Sequence, residues 1–247
     1  MTDVPPPIPA PHPPPWGIWA TLGWAVIAML ASSVVGFAAV LAVRPTLDAN
    51  AAELLKDGFL LSISTLGSAV AMIAVLAPLA NAAKWPVSEY LGLVKPRGLD
   101  AVVSFAVLIV FLLGFDGLTY LLGRDIVTPF QVDTYVSARA SGTLPLLWLA
   151  LVIGAPVGEE LLFRGFLFRS WVASQRSALP GILVISALFA IIHQQYDWFG
   201  VLQIFLIGLI LAWARWVSGS TLLTMAMHAL INLWATFETM VKADWLS

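Results

Sequence analysis

Two adjacent carboxylates and a guanidinium lie within a stretch of the chain that is otherwise apolar. Glu159, Glu160 and Arg164 belong to the segment APVGEELLFRGFLF, residues 155–168. An ionisable side chain at the centre of a bilayer costs from about 3 to above 10 kcal/mol, so these three groups are not expected to face lipid. On a helix, Glu160 and Arg164 are four residues apart and share a face, where they can form an ion pair. Glu159 is rotated by about 100° from Glu160, which leaves Glu159 as the free carboxylate.

Three further polar side chains interrupt apolar stretches later in the chain: His193, His228 and Asn232. Phe189 and His193 are four residues apart, and so are His228 and Asn232, so each pair shares a helix face. A histidine and an amide one turn apart can both donate a hydrogen bond to an oxygen that becomes charged during a reaction.

These polar residues are predicted to lie at similar depths in the membrane. At a helical rise of about 1.5 Å per residue, Glu159 lies about 22 Å from the membrane face near Ser174. His193 lies about 20 Å from the same face, and His228 and Asn232 about 13 to 19 Å from it, if the spans alternate. Each of these polar residues, taken alone, is explained by hydrogen bonding between helices. Together they favour a functional site, because desolvated ionisable groups at one depth are costly to keep.

The order and spacing of these residues resemble the CPBP family, also called the ABI or CAAX-protease-like (Rce1-type) family of intramembrane endopeptidases. The similarity extends over residues 144–240, and nothing departs from the family pattern at the motif positions. The matching motifs are EExxxR (Glu159, Glu160, Arg164), FxxxH (Phe189, His193) and HxxxN (His228, Asn232).

The resemblance implies a helical membrane fold and proteolysis next to a prenylated cysteine. By that analogy Glu159 is the general base, and His193 helps to hold the attacking water. His228 and Asn232 would stabilise the oxyanion. Since no Ser suggests itself as a nucleophile in this layer and the chain has no Cys, direct attack by water is favoured over an acyl-enzyme. The residues with a supporting, structural role would be Glu160, Arg164 and Phe189.

A metal site is the alternative use of the same residues. Glu159, His193 and His228 form a two-His, one-carboxylate set, which is a catalytic zinc combination. The chain contains no H-E-x-x-H, and the glutamate-dependent mechanism of the family needs no metal. We therefore predict that the site has no cofactor, with zinc as the less favoured possibility.

The composition identifies an integral membrane protein. The chain of 247 residues is 60% hydrophobic and 11% charged, against about 25% charged residues in soluble domains. The expected fold is all-α, a polytopic bundle of about seven (six to eight) transmembrane helices. The lipid bilayer is thus one partner. A formal net charge of -2 gives no reason to expect nucleic acid as another.

The elements that would position the site are predicted from hydropathy. Residues 1–15 contain eight prolines and are predicted to be a disordered tail. Residues 16–125 hold the N-terminal transmembrane helices, 123–142 form a loop, and 143–241 hold the four helices of a catalytic core. The predicted spans are 16–43, 59–83, 101–122, 143–174, 179–193, 199–217 and 220–241.

Three functions are compatible with this pattern. The favoured one is an intramembrane endopeptidase acting on a peptide or a prenylated peptide within a membrane, in the inner membrane if the source is bacterial. The second is a non-catalytic binding or bacteriocin-immunity-type protein of the same fold. The third is a transporter using Glu159 as a proton relay, which is less favoured because the chain shows no repeated halves. The sequence leaves the oligomeric state open.

Overall fold

A computed structural model describes residues 16–45 and 56–245 of the chain. The tail predicted for residues 1–15 lies outside the described residues. Every regular element within the two described ranges is helical, so the predicted all-α fold class is confirmed. Nine helices lie wholly within those ranges: α1 Ile18–Val43, α2 Gly58–Ala82, α3 Val87–Tyr90, α4 Gly98–Leu121, α5 Pro129–Ala140, α6 Leu144–Trp171, α7 Gln175–Ile191, α8 Trp198–Ser218 and α9 Thr221–Trp245.

Seven of these helices coincide with the seven predicted spans. Five of them, α1, α2, α4, α6 and α8, are long and apolar enough to cross a membrane. The helix α7 has 17 residues, fewer than the roughly 20 that a typical bilayer requires. The helix α9 has 25 residues, but polar side chains along one face lower its hydropathy. The chain is therefore a multi-pass integral membrane protein.

The segment 123–142 is not the loop that hydropathy predicts, because it contains the helix α5. Thr128 caps this helix by accepting a hydrogen bond from the Gln131 amide, and the Gln131 side chain accepts one from the Thr128 amide. Pro129 follows at the first helical position, where its fixed φ favours a helix start. This capping box is a helix-start signal that hydropathy does not register.

The helix α7 also differs from its prediction. It begins at Gln175 because Ser174 caps it, accepting a hydrogen bond from the Ser177 amide. It ends at Ile191, so His193 lies in the connection to α8 rather than in the helix.

The central element is α6, which carries both glutamates. In its apolar window 50% of the residues are buried, against 22–33% in the other four long apolar helices. Two segments of α6 are π-helical, Ala150–Gly154 and Leu161–Leu167, and they flank the α-helical turn Ala155–Glu160. Widened turns of this kind occur frequently at functional sites. Both glutamates therefore lie on a short regular stretch between two irregular ones.

A buried contact region fixes α6 to α8 and α9 near one end of the bundle. Arg215 of α8 donates from Nε to the Arg164 carbonyl at 2.9 Å. The Thr221 hydroxyl donates to the Leu91 carbonyl at 2.6 Å, and the Thr221 amide donates to the Gly92 carbonyl at 2.7 Å. The turn after α3 thus anchors the start of α9 beside the helix that carries the glutamates.

Candidate active site

A buried ion pair joins three helices at the centre of the bundle. Arg164 donates from Nη1 to Glu160 Oε1 at 2.9 Å, and both side chains are fully buried. The second amino group of Arg164 donates to the Gly208 carbonyl of α8 at 3.1 Å. The guanidinium carbon also lies 4.4 Å from the centroid of the Phe189 ring on α7. The pair predicted from the four-residue spacing is present, and it holds α7 and α8 against α6.

The same carboxylate orients His228 on α9. His228 Nδ1 lies 3.0 Å from Glu160 Oε1. Since Glu160 is paired with Arg164 and accepts hydrogen bonds, Nδ1 of His228 carries the proton and donates it. The Phe189 ring packs edge-on against the imidazole, with centroids 5.8 Å apart. These contacts turn Nε2 of His228 towards Glu159, whose Oε2 is 4.0 Å away.

His193 is oriented in a similar way, although it lies beyond the end of α7. Its Nδ1 is 2.7 Å from the Phe189 carbonyl oxygen. A carbonyl only accepts, so Nδ1 donates and the neutral ring keeps an unprotonated Nε2. This Nε2 lies 3.9 Å from Oε2 of Glu159. Both imidazoles therefore present Nε2 to one carboxylate oxygen.

One oxygen of Glu159 faces both imidazoles without a direct hydrogen bond among the described residues. Its Oε2 atom is buried and makes no hydrogen bond to any residue in the described ranges. The separations of 3.9 and 4.0 Å from the two imidazoles exceed a direct hydrogen bond. They match a gap that one bridging oxygen atom can fill. In contrast to Glu160, Glu159 thus has an oxygen, Oε2, that faces two imidazoles and is free to accept a hydrogen bond from a bridging group.

Asn232 lies one turn after His228 on α9 and is fixed by the irregular part of α6. Its Nδ2 donates to the Leu151 carbonyl at 2.7 Å, and Leu151 belongs to the first π-helical segment. An amide nitrogen has two protons, so one N–H of Asn232 is left for another acceptor.

One cavity of about 240 Å³ connects these groups. All four residues predicted to do chemistry line it: Glu159, His193, His228 and Asn232. The same cavity is also lined by Thr236 and Thr239 of α9 and by Phe130 and Tyr135 of α5. The structure therefore brings the four residues together, and it adds residues of α5 to the wall of the cavity.

Two parts of this cavity are not predicted from the sequence. Hydropathy assigns the wall formed by α5 to a loop, although the capping box around Thr128 is a helix-start signal. Tyr196 also lines the cavity, but in the sequence it is only one residue of a polar turn. Spacing along the chain does not predict that a residue in a turn will line a cavity formed by other helices.

The zinc alternative uses the same three side chains, Glu159, His193 and His228. Among the described residues, no group of three or more His, Asp or Glu side chains is arranged to hold a metal ion. The absence of a metal from the reaction stays a prediction, which a chelator tests below.

Comparison with known proteins finds a family match within the second half of the chain. Residues 141–234 match the family described as Rce1-like, type II CAAX prenyl endopeptidase, which confirms the resemblance drawn from the motifs. The chain is 29% identical over 114 residues to UPF0177 protein YxdF of Lactococcus lactis, covering 45% of this chain and 61% of the relative. It is 33% identical over 118 residues to an "Uncharacterized 24.3 kDa protein" of Escherichia coli, covering 44% of this chain and 52% of that relative. The chain thus spans less than two thirds of either relative. No solved structure matches it significantly.

Proposed function

We propose that the protein is a glutamate-dependent intramembrane endopeptidase, and the match of residues 141–234 to the Rce1-like family of type II CAAX prenyl endopeptidases supports this proposal. One observation carries the proposal: the Glu159 carboxylate, two imidazoles and one amide, from three parts of the bundle, line a single cavity. Ionisable groups within a membrane are costly to bury without use. Their convergence supports an enzyme more than a purely structural arrangement.

In the proposed reaction Glu159 acts as the general base. A water between Glu159 and the imidazoles donates one hydrogen to Glu159 Oε2 and the other to Nε2 of His193, which is unprotonated in the neutral ring. Its oxygen then attacks the carbonyl carbon of the peptide, and the proton passes to Glu159. Glu159 returns this proton to the nitrogen of the departing amine as the C–N bond breaks.

The oxyanion formed in this step needs hydrogen-bond donors. Asn232 has one N–H left after its bond to Leu151. His228 donates to the oxyanion from Nε2 only while both ring nitrogens carry protons, because Nδ1 already donates to Glu160. Preorganised donors of this kind stabilise charge that develops in the transition state.

A matched pair of peptides tests the proposal. The full chain is reconstituted in lipid nanodiscs and incubated with a peptide that carries a prenylated cysteine near its C-terminus, and with the unmodified peptide. We expect hydrolysis after the modified cysteine, detected by mass spectrometry. If only the unmodified peptide is cleaved, the protein is a protease, but it does not require a prenyl group on its substrate. Cleavage of neither peptide would contradict the proposed activity and favour a binding role for the same fold.

Asn232→Ala is expected to lower kcat by about 10²–10³-fold, which is the usual effect of removing one oxyanion donor. The melting temperature should change little, because one lost hydrogen bond costs about 1 kcal/mol. The matched control is Asn81→Ala, since Asn81 is exposed at the end of α2. An Asn232→Ala variant that unfolds, or one that keeps full turnover, would contradict the assigned role.

Treatment with a chelator is expected to leave peptide hydrolysis unchanged. The proposed chemistry uses a carboxylate base rather than a metal-bound water, so removing metal should have no effect. The measurement compares rates before and after dialysis against 1,10-phenanthroline. Loss of activity that returns on addition of zinc would instead assign Glu159, His193 and His228 as metal ligands.

A further inference from the structure

Tyr196 lies in the short connection between α7 and α8, three residues after His193. Its amide donates to the His193 carbonyl at 3.3 Å. The next residue, Asp197, caps α8 by accepting a hydrogen bond from the Gly200 amide at 2.9 Å. The connection is therefore tied to the ends of both helices, and Tyr196 is held in the same turn as His193.

The ring of Tyr196 is confined on two sides. A Cβ atom placed on Gly200 would lie 2.9 Å from the Cβ of Tyr196, so the first turn of α8 packs directly against the tyrosine. On the other side Phe130 of α5 meets the ring edge-on, with centroids 6.5 Å apart. Between these contacts Tyr196 lines the same cavity as Glu159.

Two tyrosines line this cavity, and their hydroxyl groups differ. Tyr135 donates its hydroxyl to Asp244 Oδ2 at 2.9 Å, so that group is already used. The Tyr196 hydroxyl makes no hydrogen bond to any residue in the described part of the chain. Burial and, to a lesser degree, the negative charge of Glu159 raise the pKa of Tyr196 to about 12. The phenol therefore keeps its proton at neutral pH and remains a hydrogen-bond donor.

Few groups in the cavity can donate a hydrogen bond to an oxyanion. Glu159 and Nε2 of neutral His193 are acceptors, and His228 donates towards the cavity only when it is doubly protonated. The remaining N–H of Asn232 is a donor whatever the charge of the histidines, and the Tyr196 hydroxyl is another. The oxyanion holes of serine proteases and α/β-hydrolases combine two donors.

We propose that Tyr196 is a further catalytic residue, whose hydroxyl donates a hydrogen bond to the oxygen of the scissile peptide as negative charge develops on it. No bond to Tyr196 forms or breaks in this step, because the proton stays on the phenol throughout. The assignment rests on the proposed endopeptidase function.

The test uses Tyr196→Phe, which removes the hydroxyl and keeps the ring that packs against Gly200 and Phe130. With the prenylated peptide as substrate, kcat should fall by about 10²-fold, while KM stays within about twofold of wild type. Tyr120→Phe is the control, because Tyr120 is 76% exposed at the end of α4. A role in packing alone would not produce this split between kcat and KM.

A peptide phosphonate, which carries a tetrahedral anionic group in place of the scissile bond, supplies a second measurement. Tyr196→Phe should weaken binding of the phosphonate by about the same factor and leave binding of the intact peptide unchanged. Turnover equal to that of Tyr120→Phe, or a loss confined to KM, would overturn the assignment while leaving the endopeptidase intact. If wild-type protein cleaves neither peptide, the proposed function fails and the Tyr196 assignment fails with it.

Discussion

Glu159→Gln is expected to abolish measurable peptide hydrolysis in a protein that still folds. Loss of a positioned general base usually lowers the rate by about 10²–10⁴-fold. The glutamine has the same shape as the glutamate but does not take a proton from water. Folding should survive because Glu159 makes no hydrogen bond through Oε2 within the described residues, so no pair is broken. The measurements are cleavage of the prenylated peptide and the melting temperature in detergent.

The neighbouring glutamate provides the matched control. Glu160→Gln removes the same charge one residue further along α6, but Glu160 is fully buried and bonded to Arg164 and His228. We expect this variant to lower the yield of folded protein, whereas Glu159→Gln should not. Equal loss of folding in both variants would contradict the division between an unpaired and a structural carboxylate. Retained hydrolysis in Glu159→Gln would exclude Glu159 as the base.

Residue spacing within single helices explains why much of the site was predictable. Glu160 and Arg164 are bonded to each other, as a four-residue separation on a helix predicts. The position of Glu159 relative to its neighbour likewise follows from the 100° rotation between successive residues. Helical rise counted from shared connections places His228 near the depth of the glutamates, whereas His193 lies beyond the end of α7.

The features that could not be predicted depend on contacts between helices. Which imidazole nitrogen faces Glu159 is decided by the Phe189 carbonyl and the Glu160 carboxylate, and neither interaction leaves a hydropathy signal. The π-helical turns of α6, one of which presents the Leu151 carbonyl to Asn232, also leave none.

The helix α9 is less apolar than the five long apolar helices, although it supplies two of the four residues predicted to do chemistry. The helix α9 has polar residues at intervals of three and four along its buried face: Thr221, Thr224, His228, Asn232, Thr236 and Thr239. A helix that lines a polar cavity necessarily loses apolar residues on that face. The polar residues that lower the hydropathy of α9 therefore mark the face of the helix that contacts substrate in the proposed reaction.

Arg164→Ala is expected to destabilise the protein by about 3–5 kcal/mol, the usual cost of removing one partner from a buried ion pair. The substitution leaves the fully buried carboxylate of Glu160 without its cation. It also removes the hydrogen bond to the Gly208 carbonyl and the contact with the Phe189 ring, which connect α6 to α8 and α7. The result should be a large fall in the yield of monodisperse protein and in its melting temperature.

Two further variants separate charge from shape at this position. Arg164→Lys keeps the positive charge but lacks the planar fork that contacts Glu160 and Gly208 together, so its stability should lie between those of wild type and Arg164→Ala. The double variant Glu160→Gln, Arg164→Met should be more stable than Arg164→Ala, because it leaves no unpaired charge. Arg176→Ala, an exposed position at the start of α7, should match wild type. If Arg164→Ala were as stable as Arg176→Ala, the buried ion pair would not be the contact that joins the three helices. Other contacts would then have to hold Glu159 in position.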